Sequence, residues 1–282
     1  MITLNLIDIN ESQIKYEISK FPDGQQTLNI LENPNIKKVV NSGYEVEILS
    51  RLNDFKDLEL ILCATSALKG LGFQNIHLYT PYFIGARSDR KFVEGGVNYL
   101  KDIISPIINS QGYKSVTVMD PHSDVLEATL NNFKKVNNFN LVNFALEKIG
   151  DLEDVVLVSP DGGALKKIFD VAKSFNIPTM INAIKHRDIK TGHITHTEVP
   201  DFNFKNNKFV IIDDICDGGR TFVELAKVIK EIRRNAEIYL VVTHGIFSAG
   251  FNTLNEYFNG IFSTNSYSDV KDDNLSTYDV FQ

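Results

Sequence analysis

The stretch Phe209-Val210-Ile211-Ile212-Asp213-Asp214-Ile215-Cys216-Asp217-Gly218-Gly219-Arg220-Thr221-Phe222 constrains the fold most. It runs an apolar strand into adjacent carboxylates, two glycines and a threonine, and then into a helix. The same order of parts recurs along the chain. Apolar runs at 14–18, 44–49, 75–79, 115–119, 155–158, 179–183, 208–212 and 238–242 read as strands. Segments 58–71, 97–108, 164–175 and 222–233 carry apolar residues at helical spacing. Strands alternating with helices predict an α/β fold with mainly parallel sheets. Gly218 and Gly219 let backbone N–H groups come close to a phosphate, Thr221 adds a hydroxyl at a helix start, and Asp213 and Asp214 can face sugar hydroxyls or a metal. Taken alone, an acidic, glycine-rich turn between a strand and a helix is equally a plain connection.

At 282 residues there is chain enough for two domains of ordinary size. A hydrophobic content of 43% with 23% charged residues fits a soluble globular protein. The formal charge of −7 argues against a nucleic-acid-binding surface while permitting local cationic pockets for phosphates. The N-terminus lacks a basic segment followed by a long apolar core, and no later stretch is long enough to span a membrane, so a cytoplasmic protein is expected. Cys63 and Cys216, the two cysteines, indicate neither a disulfide framework nor a zinc site, and Cys216 reads as a small spacer. A boundary is expected in the polar stretch 134–154, where Lys134-Lys135-Val136-Asn137-Asn138 and Gly150-Asp151 interrupt the periodicity. This gives domains at 1–140 and 141–282, with the last residues able to pack back on the first domain.

The acidic loop resembles the ribose-binding loop of type I phosphoribosyltransferases. Thr80-Pro81-Tyr82-Phe83-Ile84-Gly85-Ala86-Arg87-Ser88-Asp89-Arg90-Lys91 is similar to the nucleotide-binding segment of the ribose-phosphate pyrophosphokinases, the PRPP synthetases, a segment that ordinary phosphoribosyltransferases lack. Further matches follow in the family's order: Phe21-Pro22-Asp23-Gly24, Asp120-Pro121-His122, Ser159-Pro160-Asp161-Gly162-Gly163, Lys185-His186-Arg187 and Thr243-His244-Gly245-Ile246-Phe247-Ser248. The resemblance implies two stacked phosphoribosyltransferase-like domains, each a mainly parallel sheet flanked by helices. It also implies transfer of the β,γ-diphosphoryl group of ATP to the C1 hydroxyl of ribose 5-phosphate, giving PRPP and AMP.

By that resemblance Lys185 and Arg187 are the catalytic cations, at the start of a polar segment that closes over the reacting phosphates, with Arg187 also meeting ribose 5-phosphate. Phe21, Asp23, Gly24 and Gln25 form the adenine pocket, and Arg87 with Ser88 meets ATP phosphates or ribose. Asp213, Asp214, Asp217, Gly218, Gly219, Arg220 and Thr221 hold ribose 5-phosphate. His122 and Asp161, each just past a strand, ligate magnesium. In the family the Phe21 hairpin reaches the nucleotide site of a neighbouring subunit, which implies a homo-oligomer of two or more copies.

Several positions depart from the family pattern. Gln25 stands where many members carry Glu, Ser88 where they carry Gln, and Gly218 with Arg220 where the loop more often reads Thr then Gly. The residues after Asn265 are polar and, set beside longer members, are expected to lack their final helix. Two other readings are a phosphoribosyltransferase that consumes PRPP and a catalytically silent paralogue that associates with a synthetase.

Overall fold

The computed structural model describes residues 1–31, 40, 43–187, 194–200 and 205–281, with the backbone alone at 185–187 and 194–197. The chain forms two compact units, one of residues 1–137 with Phe281, the other Asn138–Val280.

In the first unit β1 (Ile2–Asn5) is followed by an antiparallel hairpin of β2 (Tyr16–Lys20) and β3 (Gln26–Ile30). Then come β4 (Val46–Leu49), β5 (Ile76–Tyr79), β6 (Ser115–Met119) and β7 (Phe133–Val136). The sheet is parallel throughout, in the order β1-β4-β5-β6-β7. Helix α1 (Phe55–Gly70) joins β4 to β5 and buries Leu58, Ile61, Ala64, Thr65 and Leu68, a spacing of three and four that makes one apolar stripe. Its start is set by Asp54, whose side chain accepts from the N–H groups of Lys56 at 2.7 Å and Asp57 at 3.1 Å.

The helix expected over 97–108 begins later, as a π-helical turn at Leu100–Ile104 leading into α2 (Ser105–Ser110). Asn98 is the reason: its Oδ1 accepts from Lys101 N–H at 2.9 Å, which holds the preceding residues out of the helix. A short α3 (Val125–Thr129) precedes β7. Leu4, Ile48, Leu78, Val116 and Val118 of the sheet pack with Leu58, Ile61, Leu100 and Ile104 in one core.

The second unit opens with α4 (Phe139–Ile149), which corrects the expectation of an interrupted stretch over 134–154. The polar residues before Phe139 hide a helix whose Leu141, Val142, Ala145, Leu146 and Ile149 are buried at helical spacing. After it come β8 (Val155–Ser159), α5 (Leu165–Phe175), β9 (Met180–Asn182), an antiparallel ribbon of β10 (Ile184–Arg187) and β11 (Ile194–Glu198), then β12 (Lys208–Cys216). The chain ends with α6 (Arg220–Ile232), β13 (Glu237–Gly245), α7 (Asn252–Tyr257), β14 (Gly260–Thr264) and β15 (Leu275–Tyr278). The order β15-β14-β13-β12-β8-β9 is all parallel, and β15 closes one edge beside β14.

Both faces of this sheet are buried. Phe209, Ile211, Leu240 and Val242 pack with Phe222, Leu225 and Ile229, while Val155, Leu157, Val210 and Ile212 pack with Leu141, Val142, Ile168 and Val171. Burial on both sides is why β8 and β12 read as unbroken apolar runs. From β8 the chain steps outward to β9, then returns to lay β12 on the other side of β8. The order therefore reverses between β8 and β12, and in open parallel sheets ligands bind off the carboxyl ends of the strands at such a reversal. Among the described residues no helix is long and apolar enough to cross a membrane.

Candidate functional site

At the carboxyl end of β12 the pairing is lopsided: contact with β8 stops at Ile211, while contact with β13 continues to Cys216. The strand is thus longer than the expected 208–212, and Asp213 and Asp214 lie on it rather than in a loop. They stand on the stretch that has outrun β8. Asp214 N–H donates to Asp213 Oδ1 at 2.9 Å. Burial, then the adjacent Asp214 carboxylate, pushes the Asp213 carboxyl well above its usual range, and Lys167 partly opposes this. Such a carboxyl is suited to donating to, or sharing a proton with, a sugar hydroxyl.

Lys167, in the first turns of α5, is the functional neighbour that sequence reasoning missed. A lysine near a helix start reads as solvated, and only the fold brings its charge to Asp213. Cys216 is buried, and burial followed by Asp213 and Asp217 pushes its thiol up to about 12. A thiol held that high is not a nucleophile at neutral pH, so its role is spatial.

Beyond Cys216 the chain turns through Asp217, Gly218 and Gly219 into α6. Gly219 has φ +77°, and a Cβ there would come within 2.9 Å of Leu254 Cδ2, so both its backbone and its surroundings require glycine. The 13-residue α6 has no side chain capping its first turn and no acidic residue in it. Its positive end is therefore suited to an anion brought by a ligand. Arg220 is exposed and Thr221 half-buried at this end.

The neighbouring loop after β8 carries Asp161. Its Oδ1 accepts from Gly163 N–H at 3.0 Å and Ala164 N–H at 3.2 Å, while Ser159 Oγ–H donates to its carbonyl at 2.7 Å. One carboxylate oxygen therefore holds the turn into α5. Lys185 and Arg187 lie on β10, whose backbone pairs Lys185 with Thr197 and Arg187 with Ile194 across a register shift. The polar segment expected to start here is a strand of a two-stranded ribbon at this point. The side chains of Lys185 and Arg187 lie outside the described residues.

In the first unit Phe21, Asp23, Gly24 and Gln25 share the turn of the β2–β3 hairpin. Phe21 N–H donates to Gln25 carbonyl at 2.8 Å, Gly24 N–H to Phe21 carbonyl at 2.9 Å, and Asp23 Oδ1 accepts from Gln25 N–H at 3.1 Å. The Phe21 ring is 53% exposed at the tip, so the turn presents an aromatic face to solvent. Its base is fixed to α1, where Gln26 N–H donates to Glu59 Oε1 at 3.2 Å. Arg87 is exposed and Ser88 half-buried in the loop after β5. That loop bends at Gly85, with φ +77°, where a Cβ would meet the Tyr99 ring at 2.5 Å.

His122 is exposed just past β6, after a buried Asp120 with φ +42° whose N–H donates to Val136 carbonyl at 2.8 Å. A non-glycine residue in that region marks local strain of the kind found at functional turns. Among the described residues no three or more His, Cys, Asp and Glu side chains are grouped to hold a metal by themselves.

Residues 130–250 match the phosphoribosyl transferase domain model. The chain is 27% identical over 278 residues to a ribose-phosphate pyrophosphokinase of Saccharolobus solfataricus, covering 95% of this chain and 90% of that protein. It is 26% identical over 243 residues to a protein of the same name from Thermococcus kodakarensis, covering 84% and 80%. The solved phosphoribosylpyrophosphate synthetase of Mycobacterium smegmatis aligns with 96% of this chain and 88% of its own, with a TM-score of 0.79 at 17% identity, a likeness of fold.

Proposed function

The chain belongs to the ribose-phosphate pyrophosphokinase family, and from that premise we propose that it transfers the β,γ-diphosphoryl group of ATP to the C1 hydroxyl of ribose 5-phosphate, giving PRPP and AMP. The observation that carries this reading is the end of β12: an acid pair that outruns its neighbour strand, then a glycine turn into an uncapped helix, at the reversal of strand order. The start of α6, with Gly218, Gly219, Arg220 and Thr221, takes the 5-phosphate. Asp213, Asp214 and Asp217 take the sugar hydroxyls. The raised Asp213 carboxyl supports a hydrogen-bonding role there.

Transfer of a diphosphoryl group asks the protein for alignment and for positive charge where charge builds, with little covalent chemistry. Lys185 and Arg187 supply the charge, the ammonium as a point charge and the guanidinium as a two-pronged clamp on phosphate oxygens. The exposed Phe21 ring offers the base a stacking face, Asp23 and Gln25 offer polar contacts beside it, and Arg87 with Ser88 meets the nucleotide's phosphates or ribose.

Magnesium is proposed as the metal. The donor chemistry fits a cation that draws most of its shell from substrate: His122 is exposed, and Asp161 is a half-buried carboxylate committed through one oxygen to its own turn. His122 on the first unit and Asp161 on the second are each, separately, a proposed magnesium ligand, with phosphate and water oxygens supplying the rest of the coordination. Once bound, the metal neutralises charge on the phosphates. The exposed Phe21 hairpin supports assembly into a homo-oligomer in which it meets a neighbouring copy. A cytoplasmic location accords with the substrates.

The test is AMP release from ATP by the purified chain, with and without ribose 5-phosphate and with no nucleobase present. AMP formed only with the sugar phosphate is expected. ADP as the main product would refute the reaction type, and no turnover at all would point to the silent paralogue.

A further inference from the structure

The sugar-phosphate loop is held by a second loop, 246–250, that follows β13 and that no role above uses. Cys216 carbonyl accepts from Ile246 N–H at 2.8 Å and Phe247 N–H at 3.2 Å, and Asp217 carbonyl accepts from Ser248 N–H at 3.2 Å. The side chains then meet: Ser248 Oγ–H donates to Asp217 Oδ1 at 2.6 Å. A hydroxyl on a carboxylate at that length is a charge-assisted bond, about twice as strong as a neutral one. It fixes one oxygen of Asp217, and so the direction of the other.

The rest of the turn is built to keep Ser248 there. Phe247 has φ +50°, a left-handed backbone conformation that a bulky residue adopts only under strain. Its buried ring packs on Phe251 at 4.6 Å between centroids. Gly245 leaves the room, since a Cβ there would overlap the Phe247 ring and lie 2.7 Å from Ser263 Oγ. Beneath the turn, buried His244 bonds Ser266 Oγ through Nδ1 at 2.8 Å, and Thr243 carbonyl accepts from Thr264 Oγ1–H at 2.6 Å. Ser248 and Ala249 also lie 3.7 and 3.8 Å from where a Cβ on Gly218 would stand, so the turn walls the phosphate loop from outside. An exposed serine held this firmly, on a strained turn with a stiff base, is more than a connection.

We infer that Ser248 is a positioning residue for the acceptor site: through its bond to Asp217 it sets the carboxylate that receives the ribose of ribose 5-phosphate. The inference rests on the function proposed above. Its effect should fall on the acceptor and leave the donor and the chemical step alone.

The experiment measures kcat and both KM values for wild type, Ser248→Ala, Ser248→Thr, Asp217→Asn and the double variant Ser248→Ala/Asp217→Asn. Ser248→Ala should raise KM for ribose 5-phosphate about tenfold, the effect of losing one hydrogen bond to a charged group. KM for ATP and kcat should stay within about twofold, with an unchanged melting temperature because the side chain is exposed. Ser248→Thr, which keeps the hydroxyl, should recover most of the loss. The double variant should be no worse than Asp217→Asn alone, because the serine acts through that carboxylate. Multiplying effects in the double variant, or a joint fall in melting temperature, kcat and ATP affinity, would overturn the inference. An active wild type with Ser248→Ala unmoved sinks the inference alone. A wild type that releases no AMP sinks the proposed function as well.

Discussion

At the residue scale the account turns on Asp213. Burial first, then Asp214, hold its carboxyl above the usual range, so the folded protein keeps a proton that the unfolded chain gives up near pH 4. The sign follows from linkage: the destabilisation is absent below that pH and grows as pH rises through the window up to the raised value. Asp213→Asn should therefore make the protein more stable at neutral pH, by a few degrees in melting temperature if the relief is about 1 kcal/mol. It should also flatten the fall in stability above about pH 4, which a pH series of thermal melts would check. The same variant should raise KM for ribose 5-phosphate more than KM for ATP. A stabler protein that binds its sugar phosphate worse is the signature of a site that keeps like charges together for function. If instead ATP affinity alone collapsed, the loop would serve the other substrate. Cys216, with its thiol pushed up to about 12, should tolerate Cys216→Ala with kcat within about threefold and should not react with iodoacetamide in the native protein.

At the element scale one turn and a ribbon matter. Gly219→Ala places a Cβ 2.9 Å from Leu254 Cδ2 at a backbone φ of +77°, so a loss of about 1–3 kcal/mol is expected together with weakened phosphate binding. A denaturant series with calorimetric titration of ribose 5-phosphate reads both. Lys185→Ala should lower kcat on the order of a hundredfold or more with little effect on binding, because charge placed for the transition state is missed there and not in the ground state. Near-normal turnover of that variant at saturating substrates would remove Lys185 from the mechanism.

The elements also mark what a single sequence can and cannot convey. Strands β8 and β12 are legible because a sheet buried on both faces demands unbroken runs of Val, Ile and Leu. The ribbon is not: Ile184-Lys185-His186-Arg187 has no apolar run, and its partner comes from residues as polar as itself. Helix α4 was hidden behind the polar run that ends at Asn138, although its buried face from Leu141 to Ile149 keeps helical spacing. The acid pair and the glycines of the site announce themselves by composition. Lys167 and Ser248 do not, since their meaning lies in contacts made across the fold: Ser248 reaches a carboxylate 31 residues earlier in the chain.

At the scale of the whole molecule, each unit has its own parallel sheet and its own core, and each carries part of the proposed chemistry: nucleotide residues on the first, the sugar-phosphate loop and catalytic ribbon on the second. A PRPP-consuming transferase has no use for the donor half. The central claim is therefore that a diphosphoryl group moves in one piece, and it is tested most directly with ATP labelled at the β-phosphorus, magnesium and ribose 5-phosphate, the products being followed by phosphorus NMR or chromatography. The label should appear in the diphosphate of PRPP with unlabelled AMP released in equal amount. Label recovered in ADP with orthophosphate or a singly phosphorylated sugar as co-product would contradict the account.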